Sequence, residues 1–127
     1  MTRSKFVLVE HKAKRAGKHQ DFRVKKPASR MWASWALRKG FPENPGEKVL
    51  AIRTEDHSEK GALITGEITS GYGKGFITAL DGGDCYIDIW TDKHIRLDLK
   101  GKKYKGIYHL IQPKGFDKKS WLVFKGK

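Results

Sequence analysis

Short segments in which apolar and polar residues alternate recur along nearly the whole chain. In the segment His19–Lys25, Phe22 and Val24 alternate with polar residues, which is the two-residue period of a half-buried strand. No segment keeps the 3.6-residue apolar period of a helix over three turns. The pattern therefore predicts a mostly β fold whose strands are Lys5–His11, His19–Lys25, Met31–Arg38, Lys48–Thr54, Phe76–Leu80, Cys85–Trp90, Ile95–Leu99, Ile107–Ile111 and Trp121–Phe124.

Turn-forming residues separate these strands. They lie at Ala16-Gly17, Pro42–Gly46, Gly71–Gly75, Asp81–Gly83, Gly101, Gly106 and Pro113–Gly115. Eight or more short strands at this spacing favour a sandwich or a small, closed or nearly closed antiparallel β-barrel of about eight strands, and we expect the barrel. Since no linker, repeat or low-complexity tract interrupts the pattern, residues 1–127 are predicted to be a single domain.

Composition narrows the class of protein. With 38% hydrophobic and 11% aromatic residues, the chain is too apolar for a disordered basic tail. No apolar run is long enough for a membrane span, and the start of the chain lacks a secretory signal pattern. The single cysteine, Cys85, excludes an internal disulfide and a multi-cysteine zinc site, and is expected to be a small buried hydrophobe. We therefore expect a cytoplasmic, monomeric protein with no membrane partner.

The charge of the chain points to a polyanionic partner. The 27 Lys and Arg residues exceed the 14 Asp and Glu residues and give a formal net charge of +13. Such an excess attracts nucleic acid through phosphate neutralisation. A solubility device and adaptation to a salty cytoplasm are the alternatives. Because the basic residues are spread along the sequence, they suit a surface that follows a nucleic acid backbone better than a detachable arm.

The sharpest chemical feature is His11 followed by His19-x-Asp21-x-Arg23. Residues two apart on a strand share a face, so His19, Asp21 and Arg23 project together. If the intervening residues form a hairpin, His11 comes to lie beside His19. Two imidazoles and a carboxylate form a common donor set for Mn, Fe, Zn and related divalent ions, and an arginine next to them suits a phosphate. The alternative is a solvated polar face on an edge strand.

Further motifs follow this group in a fixed order along the chain. They are Ser34-Trp35-Ala36 with Lys39-Gly40, Glu55-Asp56-His57, Gly66, Gly71-Tyr72-Gly73-x-Gly75, Asp81-x-Gly83, Lys105-Gly106 and Trp121-Leu122-Val123-x-Lys125. Together with His11 and the His19–Arg23 segment, they resemble the 3′-phosphoesterase domain of bacterial DNA ligase D, which also occurs as stand-alone proteins in archaea. The resemblance covers nearly the whole chain.

This resemblance implies a β-barrel repair enzyme that removes a 3′-terminal ribonucleotide and then the remaining 3′-phosphate, leaving a 3′-OH for repair synthesis and ligation. It implies a divalent metal, typically Mn²⁺, with Zn²⁺ or Co²⁺ as alternatives. The implied partners are DNA or RNA-terminated DNA 3′ ends and a ligase and polymerase of an end-joining system. The matching positions are His11, His19 and Asp21 as metal ligands, Arg23 and Lys39 as phosphate-holding catalytic residues, His57 as the catalytic residue at the reacting phosphate and Glu55 as its support.

Three positions differ from the family pattern. Seven residues separate His11 from His19, where the family usually has five; both numbers are odd, so a longer hairpin would keep the histidines on one face. Gly61 stands where the family usually has a tyrosine. Val49 replaces a phosphate-contacting arginine, and the adjacent Lys48 is the candidate substrate-binding residue in its place.

These differences support a second hypothesis, a catalytically weakened nucleic-acid-binding barrel that acts as a DNA-repair accessory module. A third, a generic basic barrel such as a ribosome-associated module, explains the charge but not the ordered motifs. His94 and His109, which lie in other parts of the sequence, are expected to have structural or solvent-exposed roles. The four tryptophans are expected to belong to the core rather than to stack on bases.

Overall fold

The computed structural model describes residues 1–13, 17–68 and 75–126. The described residues form nine strands and one four-residue helix. The elements are β1 (Thr2–Ala13), β2 (Gly17–Lys25), β3 (Trp32–Leu37), β4 (Lys48–His57), α1 (Glu59–Ala62), β5 (Gly66–Ile68), β6 (Gly75–Trp90), β7 (His94–Lys100), β8 (Lys105–Ile111) and β9 (Ser120–Lys125). Alternating apolar residues therefore do form strands, and the predicted mostly β class is confirmed.

Antiparallel pairing closes eight of these strands into a barrel. Along the sheet the order is β1-β2-β3-β4-β9-β8-β7-β6, and pairing of β6 with β1 completes the circle. The short β5 adds to the first residues of β6 on the edge opposite to β1. Closure leaves most backbone donors and acceptors paired between neighbouring strands, and it confirms the predicted barrel.

The barrel interior holds an aromatic and aliphatic core, supplied by alternate positions of each strand. Phe22 and Val24 of β2 are fully buried there, as is Trp35 of β3. Trp121 meets Trp35 edge-on, with ring centroids 5.8 Å apart. Cys85 is also fully buried in this core, as expected of a small hydrophobe. The inward face of each strand thus packs into this core, and the alternate positions of the strand point outward.

The predicted turn at Asp81–Gly83 is wrong, because these residues lie within β6. The long strand β1 pairs with β6 along its whole length, and this ladder keeps the glycines extended. Leu80 is an extra residue between the pairs Val9↔Ala79 and Leu8↔Asp81, so the strand has a bulge at the predicted break. The two predicted strands Phe76–Leu80 and Cys85–Trp90 are therefore two parts of the single strand β6.

The chain segment between β4 and β6 differs most from the prediction, which contained neither α1 nor β5. Among the described residues no helix is long or apolar enough to cross a membrane.

Most of the predicted glycine-rich turn at Gly71–Gly75 lies outside the described residues. Its last residue, Gly75, begins β6 so close to β1 that a Cβ there would stand 2.0 Å from the backbone oxygen of Lys12. Glycine is required at that point by the close approach of the two strands.

Candidate active site

The two N-terminal strands place the first two candidate ligands side by side. In the β1–β2 hairpin, His11 stands directly opposite His19, and their ring centroids are 5.1 Å apart. The hairpin is extended to the pair Ala13↔Gly17, so the longer connection keeps both histidines on one face, as the odd spacing predicted.

This face is the outside of the barrel. In β2 the core takes Phe22 and Val24, so the alternate residues His19, Asp21 and Arg23 point outward. The three side chains are nevertheless largely covered: those of Asp21 and Arg23 are only 8% and 6% exposed. A buried polar group on the outside of a barrel requires a second layer of structure above it.

The short segment after β4 supplies that layer. Ala62 of α1 is fully buried, and its carbonyl oxygen accepts a hydrogen bond of 2.9 Å from Arg23 Nη1. Val9, Trp32 and Ile77 are buried as well, although they do not belong to the interior core cluster. Ile77 stands opposite His11 in the sheet and so shares its outward face. The α1 segment therefore packs against the outer face of β2 at Arg23, next to the other candidate site residues.

His11, His19 and Asp21 form a group that is able to hold a metal ion. One potential ligand atom from each lies within 4.8 Å of the others, and they are the only such group of three or more found among the described residues. His19 Nε2 is 3.2 Å from Asp21 Oδ1, and His11 Nδ1 is 3.9 Å from Asp21 Oδ2. Two donors each about 2.1 Å from one ion lie at most about 4.2 Å apart. These two separations fit a shared divalent ion with only small adjustments.

Arg23 connects this group to the covering layer. Its Nη2 donates to Asp21 Oδ2 at 3.3 Å, while Nη1 donates to the carbonyl oxygens of Ala62 and, at 3.5 Å, Gly61. Burial lowers the pKa of the guanidinium, and the nearby Asp21 carboxylate opposes that effect. Arg23 thus orients the carboxylate and fixes α1 over the site at the same time.

His57 reaches the outer face through a bulge in β4. Ala51 of β4 faces the core, and six residues further on an unbroken strand His57 would point the same way. However, Trp32 pairs with His57 and Ser34 with Thr54, so two residues of β4 oppose Ala33 alone. The extra residue reverses the alternation and turns His57 outward, a use of bulges that is common beside active sites.

Asp56 fastens this bulge through two cations. Its carboxylate accepts hydrogen bonds from Lys26 Nζ at 3.0 Å and from Arg53 Nη2 at 2.5 Å. Burial acts to raise the pKa of Asp56, but the hydrogen bonds and charges of Arg53 and Lys26 outweigh it and lower the pKa. The ionised carboxylate therefore ties β4 to the turn after β2, one residue before His57.

The surroundings of His57 favour its neutral form. Burial lowers the pKa of the imidazole, and the positive charge of Arg23 lowers it further. The carboxylates of Asp21, Asp56 and Glu55 act in the opposite direction but do not offset the first two effects. A neutral imidazole next to a candidate phosphate site is able to accept a proton.

The remaining candidate residues lie at different distances from this group. Glu55 is exposed in the bulge, close enough for its charge to act on His57. Lys39 is exposed two residues after β3, whose last residue pairs with Gln20 beside His19. Lys48 lies at the other end of β4, about 30 Å of strand from His57. Its Nζ is 5.5 Å from the centre of the Phe124 ring, so the structure does not bring it to the group.

Sequence reasoning missed Asp56 and the covering carbonyl of Ala62. Asp56 could have been found as the acidic neighbour of His57 in Glu55-Asp56-His57, although its two cationic partners come from distant positions. The Ala62 carbonyl carries no signal in the sequence, because every residue has one.

Comparisons with known proteins identify one protein family. The family profile of the DNA ligase D 3′-phosphoesterase domain matches residues 9–112. The multifunctional non-homologous end joining protein LigD of Mycobacterium bovis is 35% identical over 127 residues, which cover 96% of this chain and 16% of that protein. The LigD proteins of Mycolicibacterium smegmatis and Pseudomonas aeruginosa are 36% and 32% identical, each over 97% of this chain. The chain spans about one sixth of the length of these relatives.

Proposed function

The chain belongs to the DNA ligase D 3′-phosphoesterase domain family, and we propose that it is a metal-dependent phosphoesterase that processes the 3′ ends of nucleic acid strands in end joining. Its reaction would remove a 3′-terminal ribonucleotide, a 3′-phosphate or both, and leave a 3′-OH. The observation that carries the proposal is the group of His11, His19 and Asp21 within ligand distance of one another, with Arg23 bound to the same carboxylate.

The donor set suits a divalent cation with mixed nitrogen and oxygen ligands. We propose Mn²⁺ as the ion, with Zn²⁺ and Co²⁺ as alternatives, held by His11, His19 and Asp21. When bound, such an ion supplies Lewis-acid polarisation of a phosphate oxygen. The hydrogen bond from Arg23 holds the Asp21 carboxylate in place for this role, as partners of metal ligands commonly do.

The other residues act on the phosphate and on protons. Arg23 has a buried positive charge beside the metal group, where it would offset phosphate charge, and the exposed Lys39, two residues after β3, would add a second charge. His57, neutral because burial and Arg23 lower its pKa, accepts or passes a proton at the reacting phosphate. Glu55 contributes a negative charge near His57. Lys48 is too far along β4 to join this set and would contact a more distant part of a long substrate.

The relatives' name supports the biological setting. They are called multifunctional non-homologous end joining proteins, so we propose that this chain acts in the cytoplasm on DNA ends together with a ligase and a polymerase. We propose that it does so as a monomer.

A direct test uses two primers annealed to a longer template, one with a single 3′-terminal ribonucleotide and one with a 3′-phosphate. Each is incubated with Mn²⁺, Zn²⁺, Co²⁺ or a chelator, and the products are separated on a gel. We expect cleavage that needs an ion and is lost in Asp21→Asn. Since Gly61 lacks the tyrosine side chain of the family pattern, the ribonucleotide step should outlast the phosphate step, so that 3′-phosphate ends accumulate.

The second candidate function, a nucleic-acid-binding accessory without catalysis, is favoured by the same Gly61 and by the occupation of both Arg23 Nη atoms in hydrogen bonds. Binding of both primers with no product under any ion would establish it in place of the enzyme. Phosphate release faster than ribonucleotide release would instead show that Gly61 does not limit the second step.

A further inference from the structure

A basic cleft opens on the same outer face as the candidate site. It has a volume of about 430 Å³ and lies between the first residues of β1, the end of β2, the turn after β2 and Glu59 of α1. We propose that this cleft binds the phosphodiester backbone of the substrate strand, several nucleotides from the 3′ end. The proposal rests on the 3′-end processing proposed above for the metal group, and it predicts that the protein prefers strands long enough to reach the cleft.

The charges that line the cleft suit phosphate. Four cations, Arg3, Lys5, Lys25 and Lys26, face two carboxylates, Glu59 and Asp84. Arg3 Nη2 is bound to Asp84 Oδ2 at 2.9 Å, so that carboxylate is already neutralised. Of the lining cations, Lys26 is bound to Asp56 at 3.0 Å. Lys5 and Lys25 therefore supply the net positive charge that an incoming strand would meet, and Glu59 offsets part of it.

The placement of Lys5 and Lys25 supports an anionic ligand. The β1–β2 register runs unbroken from Ala13↔Gly17 to Phe6↔Val24, and one further step places Lys5 opposite Lys25. A hydrogen bond of 2.6 Å from Ser4 Oγ to the Lys25 carbonyl oxygen holds the strands together at this point. Like charges directly opposite each other destabilise a sheet, and Asp84, which pairs with Lys5 on the β6 side, offsets only part of this repulsion because it is also bound to Arg3. A phosphate between the two ammonium groups would remove that repulsion.

The distance between cleft and metal group fits a strand that contacts both. In β1 and β2 the odd-numbered residues point outward, so Lys25 and Asp21 share a face. They are four residues apart, which is about 13 Å along a strand. A strand of two nucleotides is too short to contact the metal group and the cleft together, whereas a strand of twelve nucleotides spans this distance.

The wall of the cleft is a strained turn. Ala28 has a φ of 52°, a left-handed conformation that an alanine rarely adopts. The turn is closed by a hydrogen bond of 3.0 Å from Lys26 N to Met31 O, and Ser29 Oγ accepts another of 3.0 Å from Met31 N. Strain of this kind persists where the surroundings hold a functional shape, and here it shapes the rim beside Lys25 and Lys26.

The test measures binding rather than turnover. Single-stranded oligonucleotides of two and of twelve nucleotides, each with a 3′-phosphate and a fluorescent label, are titrated with protein by anisotropy at several salt concentrations. The double variant Lys5→Gln, Lys25→Gln is compared with a matched control, Lys93→Gln, Lys114→Gln, which neutralises two exposed lysines elsewhere. Melting curves show that each variant folds.

We expect the cleft variant to bind the twelve-nucleotide strand about tenfold more weakly than wild type, with the slope of log affinity against log salt reduced by about two. Its affinity for the two-nucleotide strand should be unchanged, and the control should lose less for either strand. An equal loss in both variants, or an equal loss for both lengths, would overturn the proposal. Length-dependent binding by the cleft without any cleavage would instead contradict only the proposed phosphoesterase function.

Discussion

Two histidine pairs lie on the outer surface of this barrel, and their neighbours differ. His11 and His19 have ring centroids 5.1 Å apart and an interplanar angle of 55°. His94 of β7 and His109 of β8 have centroids 5.3 Å apart but lie almost parallel, with Nε2 of one 3.0 Å from Nδ1 of the other. Spacing alone therefore does not distinguish a candidate metal site from a pair of stacked rings.

The third residue of each group makes the difference. Asp21 adds a carboxylate next to His11 and His19, whereas Arg96 adds a cation opposite His109. Burial, His94 and Arg96 together lower the pKa of His109. A metal ion is bound by imidazole nitrogens together with negative charge that offsets its own, and of the two groups the first supplies the carboxylate.

The layers above the two pairs also differ. Beside the first pair, Asp21 and Arg23 are buried, and the carbonyl oxygen of Ala62 in α1 accepts a hydrogen bond from Arg23. Beside the second pair, Phe124 stacks on His109 with a centroid separation of 5.1 Å, and Gly126 lies against the same ring. In the first group, the donor atoms of His11, His19 and Asp21 lie close enough to bind one ion. In the second pair, the ring nitrogens contact each other and the ring face of His109 packs against Phe124.

The largest expected contrast comes from removing one histidine of each pair. His19→Ala should lower cleavage of the 3′-ribonucleotide primer more than 100-fold, since even the loss of a partner that only supports a metal ligand costs about 10–100-fold. His109→Ala should leave cleavage within about twofold of wild type. Mn²⁺ should raise the melting temperature of wild type and His109→Ala, but not of His19→Ala, because an ion bound only by the folded state stabilises it. Equal loss of activity in the two variants would remove the distinction between the pairs.

A smaller effect is expected from Asp56, which touches neither histidine pair. Asp56→Ala releases Arg53 and Lys26 and loosens the bulge that turns His57 outward. We expect kcat to fall about tenfold, while the Mn²⁺ affinity changes little because the ligands lie on other strands. The matched control is Asp88→Ala, which breaks an ion pair with Arg96 beside the second pair and should leave kcat unchanged. A loss of Mn²⁺ affinity in Asp56→Ala would show that the bulge supports the metal group itself.

The sequence predicted the first pair well because strand periodicity and an odd spacing are local properties. They place His19, Asp21 and Arg23 on one face, and they allow His11 to join them in a hairpin. The alternation of apolar residues likewise predicted the barrel. His57 is different: its role came from the family resemblance, and strand parity from Ala51 would have turned it inward.

The rest of the site depends on pairing between distant segments. A bulge is fixed only when β4 meets β3, and the contact of Arg23 with the Ala62 carbonyl forms only when the chain folds back over the barrel. The unbroken β6 has the same origin, because pairing with β1 overrides the turn-forming Asp81–Gly83. Lys48 is a residue for which the sequence misled. It was expected to bind substrate because it adjoins Val49, but it lies at the opposite end of β4 from His57.

Adding the missing carboxylate to the second pair tests whether the third residue is sufficient. Arg96→Asp places a carboxylate two residues from His94 and opposite His109, and it also frees Asp88 from its ion pair. We expect a second, weaker binding event for Zn²⁺ or Co²⁺ in calorimetric titration, with no added cleavage, because His57 and the α1 segment lie at the first pair. Arg96→Gln, which removes the cation without adding a carboxylate, should bind only one ion. A single binding event in both variants would mean that the stacked ring geometry prevents ligation.

The smallest expected effect is a pH dependence of stability at the second pair. Because burial, His94 and Arg96 lower the pKa of His109, the folded protein binds a proton there less readily than the unfolded chain. Stability is therefore highest above the usual histidine pKa of about 6.5 and declines as the pH falls through that value toward the lower pKa of the folded state. His109→Gln should lose this share of the decline, which we expect to stay below about 1 kcal/mol because the group is only partly buried. His57 has a lowered pKa as well and adds a decline of the same sign. The informative quantity is therefore the difference in stability between variant and wild type, measured by urea unfolding at pH values on both sides of 6.5.

A larger decline in His109→Gln than in wild type would mean that protonation stabilises the stacked pair. In that case the second pair would differ from His11 and His19 by a shared positive charge and not by stacking of neutral rings.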